Sequence, residues 1–419
     1  MPVEIDQSRS KPVEPDLKPS TVNPDISVGL LTGGSDKPYA FGLATELSSK
    51  GVALDLIASD ELDSPEFRDV PRLRFLKFRG DQNPHVSLFK KTSRILSYYF
   101  KLTRYAATAK PKIFHILWNN KFLYFDRTLL TYYYKLFGKK VVLTVHNVNT
   151  EKRDYRDSAF NRFTLRIQYQ LADHLFAHTA KMKQELIDGF GVRAERISVI
   201  PLGINNFAPQ TNLTPAEAKQ RLGIRQEEKA ILFFGRITPY KGLEILVEAF
   251  QKGLPSGDNY RLMIAGRPEE ATAASYWFPV REALQEDVQK GRVLLRATHI
   301  PDEETELYFK AADVVVLPYR DIYQSGILFL GYSFGLPAVA ADVGSLKDEM
   351  IEGRTGFLFR PEDSSDLAKA IERYFASDLY QDLSRRREEI QAYARLGHDW
   401  NTVGQTTLGV YHRLLKKPE

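Results

Sequence analysis

The sequence predicts an α/β protein of two doubly wound domains. Three observations carry this. The chain has 419 residues, more than one ordinary core accommodates. A strand, a glycine turn, an amphipathic helix and a second strand follow one another near its start. The same strand–turn–helix order resumes at Ala230.

In the first half, Ile26 to Leu31 reads as a strand, followed by Thr32-Gly33-Gly34-Ser35. The next helix carries Phe41, Leu43, Ala44 and Leu47 on one stripe and stops at Gly51, and Val52 to Ala58 is the second strand. Weaker strands are expected at residues 73–78, 113–118, 141–145, 175–178 and 197–200. Helices are expected at about 126–136 and 165–172. Residues 205–215 are polar and hold two prolines, and read as a linker. The expected division is a disordered tail at 1–25, a first domain at 26–204 and a second at 205–399. A terminal helix at 400–416 shows helical spacing in Val403, Thr407, Val410 and Leu414.

Hydrophobic content of 43% and charged content of 26% are those of a globular protein. No cysteine is present, which excludes disulfides and thiolate chemistry. No apolar run is long enough to span a membrane, so a cytoplasmic protein is expected. The net charge of +5 is unevenly placed. From Leu88 to Lys140 there are 12 Lys or Arg against one acid, Asp126. These cations are interleaved with aromatics, and two readings stay open. Either the aromatic stripe packs inward, or the surface meets anionic lipid at the inner face of a membrane. No nucleic-acid motif accompanies the patch.

The most informative segment is Phe233 to Gly242. An apolar strand, 230–234, turns through Gly235 and Pro239 into the helical pattern Leu243, Leu246, Val247, Phe250. Arg236 and Lys241 thus stand at the carboxyl end of a strand, where open α/β sheets bind ligands and cations can clamp phosphate. A second strand, 314–319, runs into Gln324-Ser325-Gly326-Ile327. There Ser325 is a candidate N-cap, and the amides of Gly326 and Ile327 open a helix, an arrangement suited to an anion. A third strand, 338–341, leads to Asp342-Val343-Gly344-Ser345. Gly33 and Gly34 could admit close approach of a ligand or simply make a tight turn. His146, taken alone, reads as a capping or core histidine. His115 and Trp118 are expected to pack in the core, and Asp173, His174 and His178 to flank their strand rather than hold a metal.

The ordered set "GR…P.KG", "ADVVVLPY", "SG", "FGLP", "ADVGS", "EGRTGFLF" over 230–375 resembles the nucleotide-sugar half of the family 4 glycosyltransferases. "KVVLTVHNVN" and "LADHLFAHTAKMKQELIDGFGV…ISVIPLGI" extend the likeness over nearly all of 26–415. The resemblance implies the GT-B architecture, two Rossmann-like domains facing a cleft, with the last helix returning to the first domain. It implies transfer of a sugar from a nucleotide-diphosphate donor to a glycan or lipid-linked glycan, with retention and without a metal or other cofactor. It puts Arg236 and Lys241 at the leaving diphosphate, with Gly235, Ser325, Gly326 and Ile327 at the donor, and turns His146 toward the sugar.

One departure matters. The family pattern has two glutamates eight positions apart, and those positions hold Ile322 and Leu330. Asp321 and Gln324 are the polar neighbours that could replace the first. The departure keeps an alternative open, a catalytically silent relative that binds nucleotide or glycan as a partner subunit.

Overall fold

The computed structural model describes residues 26–33, 36–81, 86–154, 156–203, 209–255 and 259–416. The expected tail at 1–25, Gly34, residue 204 of the expected first domain and residues 205–208 of the expected linker lie outside the described residues.

The chain forms two parallel sheets. The first has seven strands: β1 (Ser27–Leu31), β2 (Ala53–Ala58), β3 (Leu73–Lys77), β4 (Ile113–Ile116), β5 (Lys140–Val145), β6 (His174–Ala177) and β7 (Ile197–Val199). Their order is β3-β2-β1-β4-β5-β6-β7. The second has six: β8 (Lys229–Phe234), β9 (Tyr260–Ala265), β10 (Val293–Arg296), β11 (Val314–Leu317), β12 (Ala338–Ala341) and β13 (Gly356–Phe359). Their order is β10-β9-β8-β11-β12-β13. Helices cover both faces of a parallel sheet, so its central strands are apolar on both sides. That is why residues 230–234 of β8, and all of β11 and β12, stand out as unbroken apolar runs. β10 and β13 are four-residue edge strands, and β9 has Arg261 interrupting it; these three have no counterpart in the sequence reading.

In each sheet the strand order reverses once, between β1 and β4 in the first and between β8 and β11 in the second. At such a point the connections leave in opposite directions and open a crevice at the carboxyl ends. The register Val28↔Ile113 and Val314↔Ile231 fixes where these ends lie.

The last helix, Trp400–Leu415, starts at Asp399, whose carboxylate accepts from the Thr402 amide at 2.9 Å. It packs on the helix Lys37–Ser49 of the first sheet. Val403, Val410 and Tyr411 join Leu43, Leu47, Val28 and Phe176 in one buried cluster. The Trp400 ring fills the space that a side chain at Gly42 or Gly203 would need. The Tyr411 hydroxyl reaches His115 Nδ1 at 2.6 Å, and Nε2 of that ring pairs with Thr144 Oγ1 at 2.8 Å. Burial pushes His115 down to about 3, so it is a neutral core histidine as expected.

The basic helix Leu88–Thr108 decides between the two readings of its aromatic stripe. Its inner face is Tyr98, Leu102, Tyr105 and Ala106. Leu88, Phe89, Leu96 and Phe100 lie on the outer face, with Phe89 85% exposed and Phe100 67% exposed. Of the two open readings, inward packing holds for Tyr98 and Tyr105 and fails for Phe89 and Phe100. The helix has apolar residues on both faces, and only one has a core to meet.

Trp400→Ala should remove the contact that seats the final helix and lower stability by about 3–5 kcal/mol, as aromatic-to-alanine changes in cores do. Urea unfolding checks this; a change below about 1 kcal/mol would show that the helix is held elsewhere.

Candidate functional site

The carboxyl ends of the two sheets face each other across two adjoining cavities. One, of about 250 Å³, is lined from the first sheet by Asp36, Trp118, His146, Asn147, Arg153 and His178. From the second it is lined by Tyr240, Lys241, Tyr319, Ile322, Gln324, Ser325, Gly326 and Ile327. The other, of about 400 Å³, is lined by Arg153, Arg236, Thr238, Tyr240, Lys241 and Glu269 among others. Arg153, Tyr240 and Lys241 belong to both. Their shared wall is a stack: the Arg153 guanidinium lies 4.2 Å from the Tyr240 ring centre, and it pairs with Asp154 at 2.8 and 3.1 Å. A second bridge across the cleft runs from the Tyr323 hydroxyl to Glu185 at 2.6 Å.

Lys241 closes a short turn, Pro239–Lys241, after β8, and is 7% exposed. Among the described residues no carboxylate lies within ion-pairing distance of its ammonium, which stands 5.5 Å from the Tyr319 ring centre. Burial, with the Arg236 and Arg153 guanidiniums nearby, pushes it down to about 7. A buried cation normally has a partner, and Lys241 lines both cavities, where an anion could reach it. Arg236 is solvent-exposed at the rim of the larger cavity. Gly235 has φ +99°, and a Cβ there would come within 2.9 Å of the Lys241 ammonium and touch Ile327. A glycine is required for both the backbone and the lysine.

Ser325 caps the helix Gly326–Ser333, its hydroxyl accepting from the Leu328 amide at 3.2 Å. The first amides of this helix have no intrahelical acceptor and carry the positive end of its dipole toward the smaller cavity. Gln324 lines that cavity too, and both atoms of its amide are buried without a partner among the described residues. Ile322 is 8% exposed in the cavity wall, while Leu330 is buried and lines neither cavity. Asp321 is exposed and lines neither cavity, so of the two neighbours of Ile322 it is Gln324 that faces the space.

From the first sheet, His146 follows β5. Its ring stacks on Trp118 at 4.3 Å and 1°, meets Tyr39 edge-on at 4.7 Å, and places Nδ1 3.1 Å from His178 Nε2. His178 Nδ1 in turn reaches the Ile200 carbonyl at 3.2 Å. Burial holds His146 well below the usual imidazole range and His178 at about 4. The expectation that Trp118 is a core residue is corrected, since it lines the cleft; His178 flanks its strand, following β6 directly, and lines the cleft as well. Asp173 and His174 do stay on the strand side, bonded to the Val141 amide and to Ser198. Gly33 lines neither cavity. A Cβ there would run into the Trp118 carbonyl, so the chain itself, at φ +43°, accounts for that glycine.

The residues not singled out from sequence are Asp36, Arg153, Tyr240 and Glu269. Asp36, Arg153 and Tyr240 each sit a few residues beyond the carboxyl end of a strand, which is the one local signal they share.

Two facing Rossmann-like domains, with cations and helix amides at the crevice between them, define a protein built to hold an anionic ligand in an interdomain cleft. Residues 38–206 match the family described as Glycosyltransferase Family 4, and 228–377 match the one described as Glycosyl transferases group 1. The chain belongs to the family 4 glycosyltransferases. A D-inositol 3-phosphate glycosyltransferase of Acidothermus cellulolyticus is 30% identical over 251 residues, 58% of this chain and 54% of that protein. One from Corynebacterium glutamicum is 25% identical over 346 residues, 79% of this chain and 80% of that protein. The chain spans about half the length of the first of these. Among solved structures, sucrose-phosphate synthase from Thermosynechococcus elongatus superposes with a TM-score of 0.73 at 18% identity, covering 93% of this chain and 99% of that one. Anabaena HepE, solved with UDP and glucose, gives 0.71 at 18% identity over 93% and 100%. These last two establish the GT-B fold.

Lys241 is already protonated in the free protein below pH 7. Above it, an arriving diphosphate must draw a proton onto the amine, and affinity should fall by up to about tenfold per pH unit. Calorimetry of nucleoside diphosphate binding at pH 8, in buffers of different ionisation enthalpy, should show net proton uptake that Lys241→Met abolishes. Binding without uptake would contradict the placement.

Proposed function

We propose that the protein transfers a sugar from a nucleotide-diphosphate sugar to a glycan or lipid-linked glycan, with retention of configuration. The observation that carries this is the buried Lys241 ammonium, without an ion-pair partner among the described residues, at a cleft shared by Arg236, Arg153 and the start of the helix Gly326–Ser333. The names of the Acidothermus and Corynebacterium relatives agree with it.

In the reaction the bond from the anomeric carbon to the diphosphate oxygen breaks and one to the acceptor oxygen forms. The acceptor hydroxyl proton ends on the departing phosphate. Negative charge grows on that phosphate as the bond lengthens, and fixed cations and amides there stabilise the transition state more than the ground state. Lys241 and Arg236 take this role, assisted by the Gly326 and Ile327 amides, and no metal is assigned. Gly235 lets the donor approach. His146 and Gln324 meet hydroxyls of the sugar, Gln324 standing in for the carboxylate absent at Ile322.

The acceptor is presented at an anionic membrane, at its cytoplasmic face, where the leaflet is negative. Leu88, Phe89, Leu96 and Phe100 project from the same helix as Lys90, Lys91, Arg94, Lys101 and Arg104. Phe122, Leu129, Tyr132 and Leu136, and further along the chain Phe160 and Phe163, add exposed apolar area. Cations attracted to headgroups contribute about 1 kcal/mol each, and apolar tips then enter the interface. Among the described residues no helix is long and apolar enough to cross a membrane.

A thermal-shift screen of nucleoside diphosphates and their sugars should identify one base that raises Tm. With that donor, Lys241→Ala should lower kcat/KM by a factor on the order of 10²–10³, the cost of one lost oxyanion donor. No stabilisation by any member of the panel would defeat the reading. Separately, the protein should float with anionic vesicles at low salt and leave them at high salt, and Phe89→Asp with Phe100→Asp should weaken flotation. Absence of binding at low salt removes the membrane assignment and leaves the transfer chemistry standing.

A further inference from the structure

Three groups in a row fix where the protons lie on the paired histidines of the cleft. The Ile200 carbonyl can only accept, so the nitrogen 3.2 Å from it, His178 Nδ1, must carry the hydrogen. His178 is neutral, which leaves its Nε2 with a lone pair and no proton. The contact of 3.1 Å between that lone pair and His146 Nδ1 is a hydrogen bond only if His146 Nδ1 donates. His146 is also neutral, so its single proton is then used, and Nε2 is left bare. That Nε2 is buried and, among the described residues, has no partner. The ring that carries it lines the smaller cavity and is clamped flat against Trp118.

We propose that His178 is a positioning residue: by accepting from Nδ1 it holds His146 in the Nδ1–H tautomer, so that Nε2 offers a lone pair to a hydroxyl donor of the transferred sugar. The cleft would then select a sugar with a free hydroxyl at this point. It would disfavour a deoxy analogue, which leaves the lone pair unmet, and a carboxylate, which would oppose it with lone pairs of its own. The part concerning the sugar rests on the proposed function; the tautomer does not. The opposite arrangement, with His146 Nε2 protonated, would set two acceptor nitrogens against each other at 3.1 Å or require a proton that burial disfavours.

The test is 15N NMR of the full-length protein with labelled histidines, with no sugar present. The signals of His146 are assigned by their loss in His146→Gln. A pyridine-type Nε2 and a pyrrole-type Nδ1 on His146 are expected. In His178→Leu the two signals should move toward values averaged between the tautomers, and in His178→Gln, whose side-chain amide can accept from His146 Nδ1, they should return. A protonated Nε2 in the unmodified protein overturns the proposal, as does a folded His178→Leu with unchanged His146 signals. If His178→Leu does not fold, the unmodified protein decides alone. Once a donor is known, His178→Leu should lower kcat/KM by about 3- to 10-fold, the range of one neutral hydrogen bond, with His178→Gln restoring most of it. Failure of every transfer assay would count against the proposed function and leave the tautomer reading intact.

Discussion

The ammonium of Lys241 has been taken out of water and given no counter-charge from the described residues. Instead it is set beside two guanidiniums and the start of a helix, and the acids that line the same cavities, Asp36, Asp154 and Glu269, do not pair with it. Such a group is unfavourable until an anion arrives, and burial has already drawn its proton affinity down to about 7. The surrounding architecture keeps that situation in place. The turn at Gly235 brings the lysine back over the strand end, Tyr319 walls it on one side, and Tyr240 stacks under Arg153 from the opposite domain.

The two sheets contribute differently. The second supplies charge: Lys241, Arg236 and helix amides, all within one strand–turn–helix unit or its neighbour. The first supplies shape and neutral polarity, in the form of the Trp118–His146 stack backed by His178. Such a division suits a donor with a charged end and an uncharged end. The first domain also lends charge, from Asp36, Asp154, Arg156 and Arg153; the Arg153–Tyr240 stack and the Tyr323–Glu185 bond tie the domains at the cleft.

Much of the fold was legible because parallel strands are buried on both faces and therefore read as apolar runs, as β8, β11 and β12 do. The edge strands β10 and β13 were not, being four residues long and half covered. At the site, Lys241, Ser325 and Gly326 were legible because strand, turn and cap lie within a few residues of one another. Trp118, Arg153 and His178 were not, because their place depends on contacts between distant segments; His178 earns its position through a ring 32 residues away. The outward face of Leu88–Thr108 was ambiguous for a related reason. Its apolar residues cover both sides, and only the packed structure shows which side is left bare.

The most direct measurement is an experimental structure with the stabilising nucleoside diphosphate bound. The account predicts the diphosphate between the two sheets, with Lys241 Nζ and the Arg236 guanidinium both within hydrogen-bonding distance of its oxygens and the Gly326 or Ile327 amide aimed at the same group. A diphosphate lodged elsewhere, or bound in the cleft with Lys241 still turned away from it, would contradict the account.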